Sequence, residues 1–351
     1  MIKNLKKKNA DLAKWLDLND VEYVINYDLK KKSWLKCGGV ANLFITPDNF
    51  KKTENLIKYL NEKKINFYPI GNLSNTLIRD GEIYTPIINF KNIKEPIIKL
   101  DDNKNHILLK VSSGLSIFKL VSYTTNNLHI SGLEGMIGIP GTIGGAMLTN
   151  ASSYDSSISE FLLKLDYINE NGELITLKKN EIRFGWRSSI FQELKRFVIT
   201  ELYFKFPKEN IKNFDQIKKR IDFVKEHRQK YQEKKYPNLG SLYATKNLYY
   251  ELSKFSVVFL FLYIFYLIGT KIIYLLFNEQ KLLLFRKFIV KLYSLYFKIN
   301  KRKFLFSDKT INCLVNQGSD LANDAIETIN ILEKKIKGRI KIENNIIIDI
   351  D

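Results

Sequence analysis

The residues in this chain best suited to chemistry are glycines and small polar side chains rather than metal ligands. Five glycines fall between Gly135 and Gly145 in the stretch Gly132-Leu-Glu-Gly-Met-Ile-Gly-Ile-Pro-Gly-Thr-Ile-Gly-Gly-Ala-Met-Leu-Thr-Asn150, and no charged residue separates Glu134 from Asp155. Each glycine loses more backbone entropy on folding than any other residue, so such a concentration implies a backbone brought close to a ligand. Without Cβ atoms, successive N–H groups can face a phosphate or a flat ring, and Thr142 adds a hydroxyl. The bland reading is a glycine-rich bend between strands. The spacing is neither Gly-x-Gly-x-x-Gly nor a Walker loop, because no Gly-Lys-Ser/Thr follows. A second cradle of the same kind is Gly71-Asn-Leu-Ser-Asn75, which follows the expected strand Ile65–Ile70 and leads to Asp80.

Other chemistries have little support. The two cysteines, Cys37 and Cys313, have no CxxC spacing, and His106, His129 and His227 are isolated from one another. No metal site is expected, and the sparse cysteine suits the cytosol. The basic N-terminus, Met1–Lys8, lacks an apolar region behind it, which argues against secretion. Lys plus Arg is 56 against 37 Asp plus Glu, a formal charge of +19. That excess suits nucleic acid, an anionic membrane surface or an acidic nucleotide, or simply reflects a chain rich in Lys, Ile and Asn throughout. Without a basic aromatic platform, nucleic acid is not expected as a partner.

The elements that must position the two cradles alternate between strand and helix. Residues 1–30 read as a short polar helix around Asn9–Asp17 and a linker. A strand or turn at Ser33–Ala41, continuing through Asn42–Pro47, precedes a helix over Asp48–Lys63 whose apolar face is Phe50, Leu56, Ile57 and Leu60. A strand at Ile107–Ser112, a helix at Leu115–Asn126, a hairpin across Asn169-Glu-Asn-Gly172 and a strand at Phe197–Phe206 follow. The region 31–95 reads as one subdomain and 96–208 as a second; 209–351 is a further domain that opens with a basic amphipathic helix from Ile211 to Glu233. That domain is interrupted at 246–308, where Phe255–Gly269 is uncharged and apolar and Leu282–Phe297 is basic and aromatic. The run falls short of the roughly 20 residues that span a bilayer. A membrane-associated hairpin over 255–297 and a buried or oligomer-forming helical insertion both remain open. A strand at Asn312–Val315, a helix at Leu321–Lys337 and a strand at Asn345–Ile350 complete the chain.

Taken in order, these motifs resemble the UDP-N-acetylenolpyruvoylglucosamine reductase (MurB) family. Gly38-Gly39-Val-Ala41 with Pro47 is similar to the family's opening segment. Gly71-Asn-Leu-Ser-Asn75 with Asp80-Gly81 resembles its first FAD loop, with Leu73 in place of a glycine. Gly138-Ile-Pro-Gly-Thr-Ile-Gly-Gly145 with Asn150-Ala151 resembles its main FAD-binding segment. Phe184-Gly-Trp-Arg-Ser-Ser-Ile-Phe191 is similar to a Tyr-Arg-x-Ser motif, with Trp186 at the tyrosine; Gly240-Ser241 with Tyr243 is similar to a Gly-Ser-x-Phe strand. Val315-Asn316, with Gly318 and Asp324, resembles a late Val-Asn-x-Gly segment. The likeness covers roughly 30–245 and 310–350.

The resemblance implies an α+β protein. A two-part FAD-binding domain of the vanillyl-alcohol-oxidase type is followed by a smaller α+β substrate domain that carries the apolar helical insertion. It implies FAD held by Gly71, Asn72, Ser74 and Asn75 and by Gly138, Ile139, Pro140, Gly141, Thr142, Gly144, Gly145, Asn150 and Ala151. NADPH is the implied electron donor and UDP-GlcNAc-enolpyruvate the implied substrate, in peptidoglycan precursor synthesis. Arg187 matches the residue that stabilises the enol, and Ser241 the proton donor. The catalytic glutamate's position falls on Asn345, which can form hydrogen bonds but cannot carry a proton. Glu343, two residues earlier and on the same strand face, is the carboxylate that can stand in for it. Ala244-Thr245 also depart from the family's Lys-Asn. The alternative is a MurB-like flavoprotein that keeps FAD with altered or lost catalysis, membrane-associated in an envelope polysaccharide pathway. The expected setting is the cytoplasm, or the inner face of the cell membrane, as a monomer or weak oligomer.

Overall fold

Alternating inward apolar residues build two sheets, and the two glycine-rich loops lie at their meeting point. The computed structural model describes residues 2–93, 96–194 and 196–347. In the first subdomain, helix α1 (Ile2–Leu18) packs Leu12 and Leu16 onto a sheet with β1 (Tyr23–Asp28) at its edge. The sheet continues with β2 (Val40–Ile45); helix α2 (Phe50–Glu62) follows, capped by Asn49, whose Oδ1 accepts from the Lys52 N–H at 2.9 Å. Strands β3 (Tyr68–Ile70), β5 (Glu82–Ile83) and β6 (Ile87–Asn89) complete it, in the order β1-β2-β6-β3 with β5 also on β2, while β4 (Thr76–Ile78) stands outside this sheet. The segment expected to be a linker before residue 30 therefore belongs to this subdomain. Its helix is longer than the polar composition suggested, because burial of Leu12 and Leu16 outweighs the lysine-rich first turns.

The second subdomain is an antiparallel sheet with helices against one face. It begins with β7 (Ile98–Asp102) and β8 (His106–Ser112), followed by the short helices α3 (Ile117–Ser122) and α4 (Ile143–Leu148). A small ribbon, β9 and β10 (Ser152–Ser153, Ser156–Ser157), leads to the hairpin β11 (Leu162–Ile168) and β12 (Leu174–Lys178). A second ribbon, β13 and β14 (Phe184–Gly185, Ser188–Ser189), precedes β15 (Val198–Pro207). The sheet order is β12-β11-β15-β8-β7. Leu202, Phe204 and Phe206 of β15 and Ile107, Leu109 and Val111 of β8 all point inward, the period-two pattern of a sheet with one buried face. The helix expected over Leu115–Asn126 ends at Ser122, where the chain widens into a π turn over Tyr123–Asn127.

The last third is helical. Helix α5 (Phe214–Tyr231) lies along the second subdomain, α6 (Leu248–Ser253) leads into the long pair α7 (Val257–Leu276) and α8 (Glu279–Phe297), and the hairpin β16 (Phe304–Ser307) and β17 (Thr310–Asn316) precedes α9 (Ala322–Ile336). The apolar block is not a detachable insertion. Ile289, Val290, Tyr293 and Phe297 of α8 share one core with Phe304, Ile311, Leu314, Ala325 and Leu332, whereas α7 buries only Phe259. The chain closes with β18 (Asn345–Ile347), which runs parallel to β4 of the first subdomain. The remainder of the expected final strand, residues 348–350, lies outside the described residues.

Candidate active site

The two glycine loops meet in the lining of a cleft of about 1530 Å³ between the first two subdomains and the last domain. Their contact depends on missing side chains. A Cβ added to Gly71 would lie 2.4 Å from Thr142 Oγ1, and Asn72 Nδ2 donates to the Pro140 carbonyl at 3.4 Å. Leu73 adopts the left-handed conformation at φ +53 that a glycine would take without cost, about 1–2 kcal/mol for a residue with a Cβ. Its side chain is buried with Leu29, Ala41, Phe44 and Ile78, and this burial offsets the strain.

In the second loop, Gly138 has φ +82 and presses against the Arg228 stem, while Gly141 lies against Ile117. Thr142 caps α4, with Oγ1 accepting from the Gly145 N–H at 3.3 Å. The amides of Ile143 and Gly144 are not directed at a ligand, since they donate to the Leu115 and Ser113 carbonyls at 2.8 and 2.9 Å. Gly144 is required instead for close packing, because a Cβ there would meet Ser113 Cβ at 2.9 Å.

Gly71, Asn72, Ser74, Asn75, Gly138, Ile139, Pro140, Gly141, Thr142, Gly145 and Ala151 line the cleft; Gly144 and Asn150 do not. Asn150 acts from behind. Its Oδ1 accepts from Ser157 and Ser159 Oγ at 3.0 and 2.7 Å, and its Nδ2 donates to the Gly185 carbonyl at 3.1 Å. With Ser189 Oγ donating to the Leu148 carbonyl at 2.8 Å, this fastens the β13–β14 ribbon to the end of α4.

That ribbon presents Arg187 at its turn, itself left-handed at φ +52. Arg187 Nε lies 3.3 Å from Glu343 Oε1, and both side chains are largely shielded, at 20% and 14% exposure. The guanidinium also sits over the exposed Trp186 ring, 5.4 Å from its centroid. Burial pushes the Glu343 carboxyl above the usual carboxylate range, and the Arg187 charge opposes that shift in part.

Glu343 is held by the closing segment of the chain, which bridges two domains. Its N–H donates to the Leu242 carbonyl at 2.7 Å, and the Ala244 N–H donates to the Lys341 carbonyl at 2.9 Å. On the other side Asn75 Nδ2 donates to the Glu343 carbonyl at 3.1 Å, and the Asn345 N–H donates to the Asn75 carbonyl at 2.9 Å. Asn344 Nδ2 contacts Asn75 Oδ1 at 2.5 Å and the Ser241 carbonyl at 3.2 Å. Ser241 is exposed after Gly240, whose φ is +77. Arg187, Ser241, Glu343 and Asn345 all line the same cleft.

Of three positioning residues, Arg228 escaped the sequence reading, and Asn75 and Asp80, named there with the first FAD loop, take structural roles that it did not assign. Asn75 clasps the closing strand to the first loop, a role that no local pattern encodes. Arg228 occupies the buried stripe Ile217, Ile221, Val224 of α5, and a lone arginine on an apolar stripe was the available signal. Its Nη2 donates to the Gly135 carbonyl at 2.9 Å and to Ser153 Oγ at 2.7 Å, which secures the main glycine loop. Asp80 caps α9 by accepting from the Ala322 and Asn323 amides, both at 2.8 Å. The late Val315-Asn316 motif is structural, since Asn316 Nδ2 donates to the Leu35 and Ser319 carbonyls at 2.8 Å.

The lining of backbone, hydroxyls and amides around Gly71, Gly138 and Gly141 fits a phosphate-bearing dinucleotide. Residues 41–178 match a family described as an FAD binding domain. The UDP-N-acetylenolpyruvoylglucosamine reductase of Exiguobacterium sibiricum is 30% identical over 227 residues, which is 65% of this chain and 71% of that protein. The protein of the same name from Clostridium tetani is 27% identical over 316 residues, 90% of this chain and 87% of its own length. Among solved structures, that of the Thermus caldophilus enzyme (MurB) superposes with a TM-score of 0.63 at 19% identity, covering 93% of this chain and 98% of the other. The chain belongs to the UDP-N-acetylenolpyruvoylglucosamine reductase (MurB) family, an assignment carried by relatives at 30% identity or above of which it covers two thirds or more.

Proposed function

We propose that this protein reduces the enolpyruvyl double bond of UDP-GlcNAc-enolpyruvate, with FAD as cofactor and NADPH as electron donor, in the synthesis of peptidoglycan precursors. The observation that carries the reading is the shielded Arg187–Glu343 pair, set in a cleft that the two glycine loops also line. Gly71, Asn72, Ser74 and Asn75 and the 138–142 segment would hold the dinucleotide, which when bound supplies a hydride to the carbon β to the substrate carboxylate.

The rest of the reaction falls to this chain's own side chains. Hydride addition at Cβ leaves an electron pair on Cα, beside a carboxylate that is already negative. The planar fork of Arg187 suits that carboxylate and stabilises the added charge. A proton must then reach Cα. Ser241 offers a hydroxyl from the turn after Gly240, but a serine is a weak acid and needs its proton restored. Glu343 can restore it, because burial favours its protonated form. Asn345 contributes hydrogen bonds alone. The reaction belongs in the cytoplasm, and the buried, unpaired thiols of Cys37 and Cys313 suit a reducing compartment.

The test is to incubate the purified flavoprotein with NADPH and UDP-GlcNAc-enolpyruvate in deuterated water and to identify the product by mass spectrometry. Consumption of NADPH with a reduced product that carries at least one solvent deuterium supports the proposal. Unchanged substrate alongside a reducible flavin would refute it and point to a relative with altered chemistry.

A further inference from the structure

Helix α7 is twenty residues long with a mean hydropathy of 2.1, and Phe259 is its one buried residue. Its inner side is committed to the protein. Gly269 meets the Phe285 ring of α8 so closely that a Cβ would overlap it at 2.3 Å, and Tyr266 stacks on Tyr249 at 4.7 Å. The outer side presents Val257, Phe261, Ile264, Phe265, Ile268 and Leu275 to solvent, and Leu283, Leu284 and Phe288 of α8 are exposed as well. Monomeric proteins rarely leave so continuous an apolar face uncovered.

Charge identifies the occupant. Residues 246–303 contain eleven Lys or Arg and only two acids, Glu251 and Glu279. Both acids are already paired, Glu251 with Lys254 and Glu279 with Lys230 of α5. Lys271, Lys281 and Lys291 are exposed on the helix pair. A second copy of the chain would bring the same lysines and another +19 charge against this face, whereas anionic lipid complements them.

We propose that the outer face of α7, extended by Leu283, Leu284 and Phe288, lies in the headgroup plane of an anionic lipid bilayer. The helix lies along the surface and does not cross it. Its inner side is fastened to α6 and α8, and the far side of α8 is core, so a span would have to break the Gly269–Phe285 and Tyr249–Tyr266 contacts. Apolar side chains then enter the acyl boundary while the lysines meet lipid phosphates.

The test uses the full-length holoprotein and co-sedimentation with phosphatidylcholine vesicles, with and without phosphatidylglycerol. Binding is expected to strengthen by about tenfold or more with phosphatidylglycerol and to weaken as salt is raised. The variant Phe261→Ser/Ile268→Ser/Leu275→Ser alters residues that are 68%, 55% and 69% exposed, so flavin content and helicity should be retained while vesicle binding falls at least about tenfold. A dye on Ile268→Cys should shift to the blue when anionic vesicles are added. Two results would overturn the proposal. One is protein that stays in the supernatant with both vesicle types. The other is a dimer in solution that the triple variant converts to monomer, which would make the face a contact between copies.

Discussion

Replacing Glu343 by glutamine preserves the shape of the side chain and removes its charge and its proton. At 3.3 Å from Arg187 Nε, the carboxylate–guanidinium attraction is about 5 kcal/mol at an effective dielectric constant of about 20, and the desolvation of both groups offsets most of it. Glutamine keeps an acceptor for the Arg187 N–H, so the loss of stability should be only about 1–2 kcal/mol. The catalytic loss should be larger. A positioned general acid contributes roughly 10²- to 10⁴-fold, about 3–5 kcal/mol of barrier, and no neighbouring asparagine can replace it.

The pH profile gives the sign. Because burial raises the folded pKa of Glu343, its protonated form dominates below that value and is lost as pH rises through it. Wild-type transfer to substrate should therefore decline with rising pH, and the glutamine variant should lack that limb. Stability follows the same direction. The contribution of the protonated carboxyl is fully present below its unfolded pKa and disappears through the raised folded value. The assay is anaerobic stopped flow with two half-reactions, flavin reduction by NADPH and flavin reoxidation by the enolpyruvyl substrate. Reduction should stay near the wild-type rate while reoxidation slows about 10³-fold. A variant that reoxidises at the wild-type rate, or that keeps the high-pH limb, would remove Glu343 from the proton path.

Arg187→Ala should slow substrate reduction by about 10³-fold with flavin reduction by NADPH preserved, and an equal fall in both half-reactions would refute its assigned role. Gly71→Ala should reduce the flavin-to-protein ratio, because its Cβ would stand 2.4 Å from Thr142 Oγ1 and force the loops apart; full flavin content would show that they are not the cradle. Leu73→Gly relieves a left-handed residue but deletes a buried leucine, so denaturant unfolding should show a net loss of about 1–3 kcal/mol, and a more stable variant would contradict the packing account.

The two cradles were legible because glycine clusters have a local cost that only close approach repays, and both loops do line one cleft. Their inner bookkeeping was not. Whether the Ile143 and Gly144 amides face a ligand or the Ser113–Leu115 segment depends on tertiary partners about 30 residues away in sequence. Strand periodicity puts Glu343 and Asn345 on one face, but β18 begins only at Asn345, after a bend at Asn344, and the Leu242 and Asn75 pairings set Glu343 beside Arg187. The N-terminal strand β1 was missed because none of its residues is fully buried, so Tyr23–Asp28 carries little apolar alternation. The apolar block shows the same limit. Helices α7 and α8 are both rich in aromatic and aliphatic residues, yet one is nearly uncovered and the other half buried, a difference decided by the β16–β17 and α9 partners.

The most direct test of the central claim is to reduce the bound flavin anaerobically with NADPH, add UDP-GlcNAc-enolpyruvate, and follow the visible flavin absorbance. Return of the oxidised spectrum in proportion to added substrate is the predicted result, and it would show that Arg187, Ser241 and Glu343 suffice without a glutamate at position 345. A flavin that NADPH reduces and that stays reduced after substrate is added would contradict it.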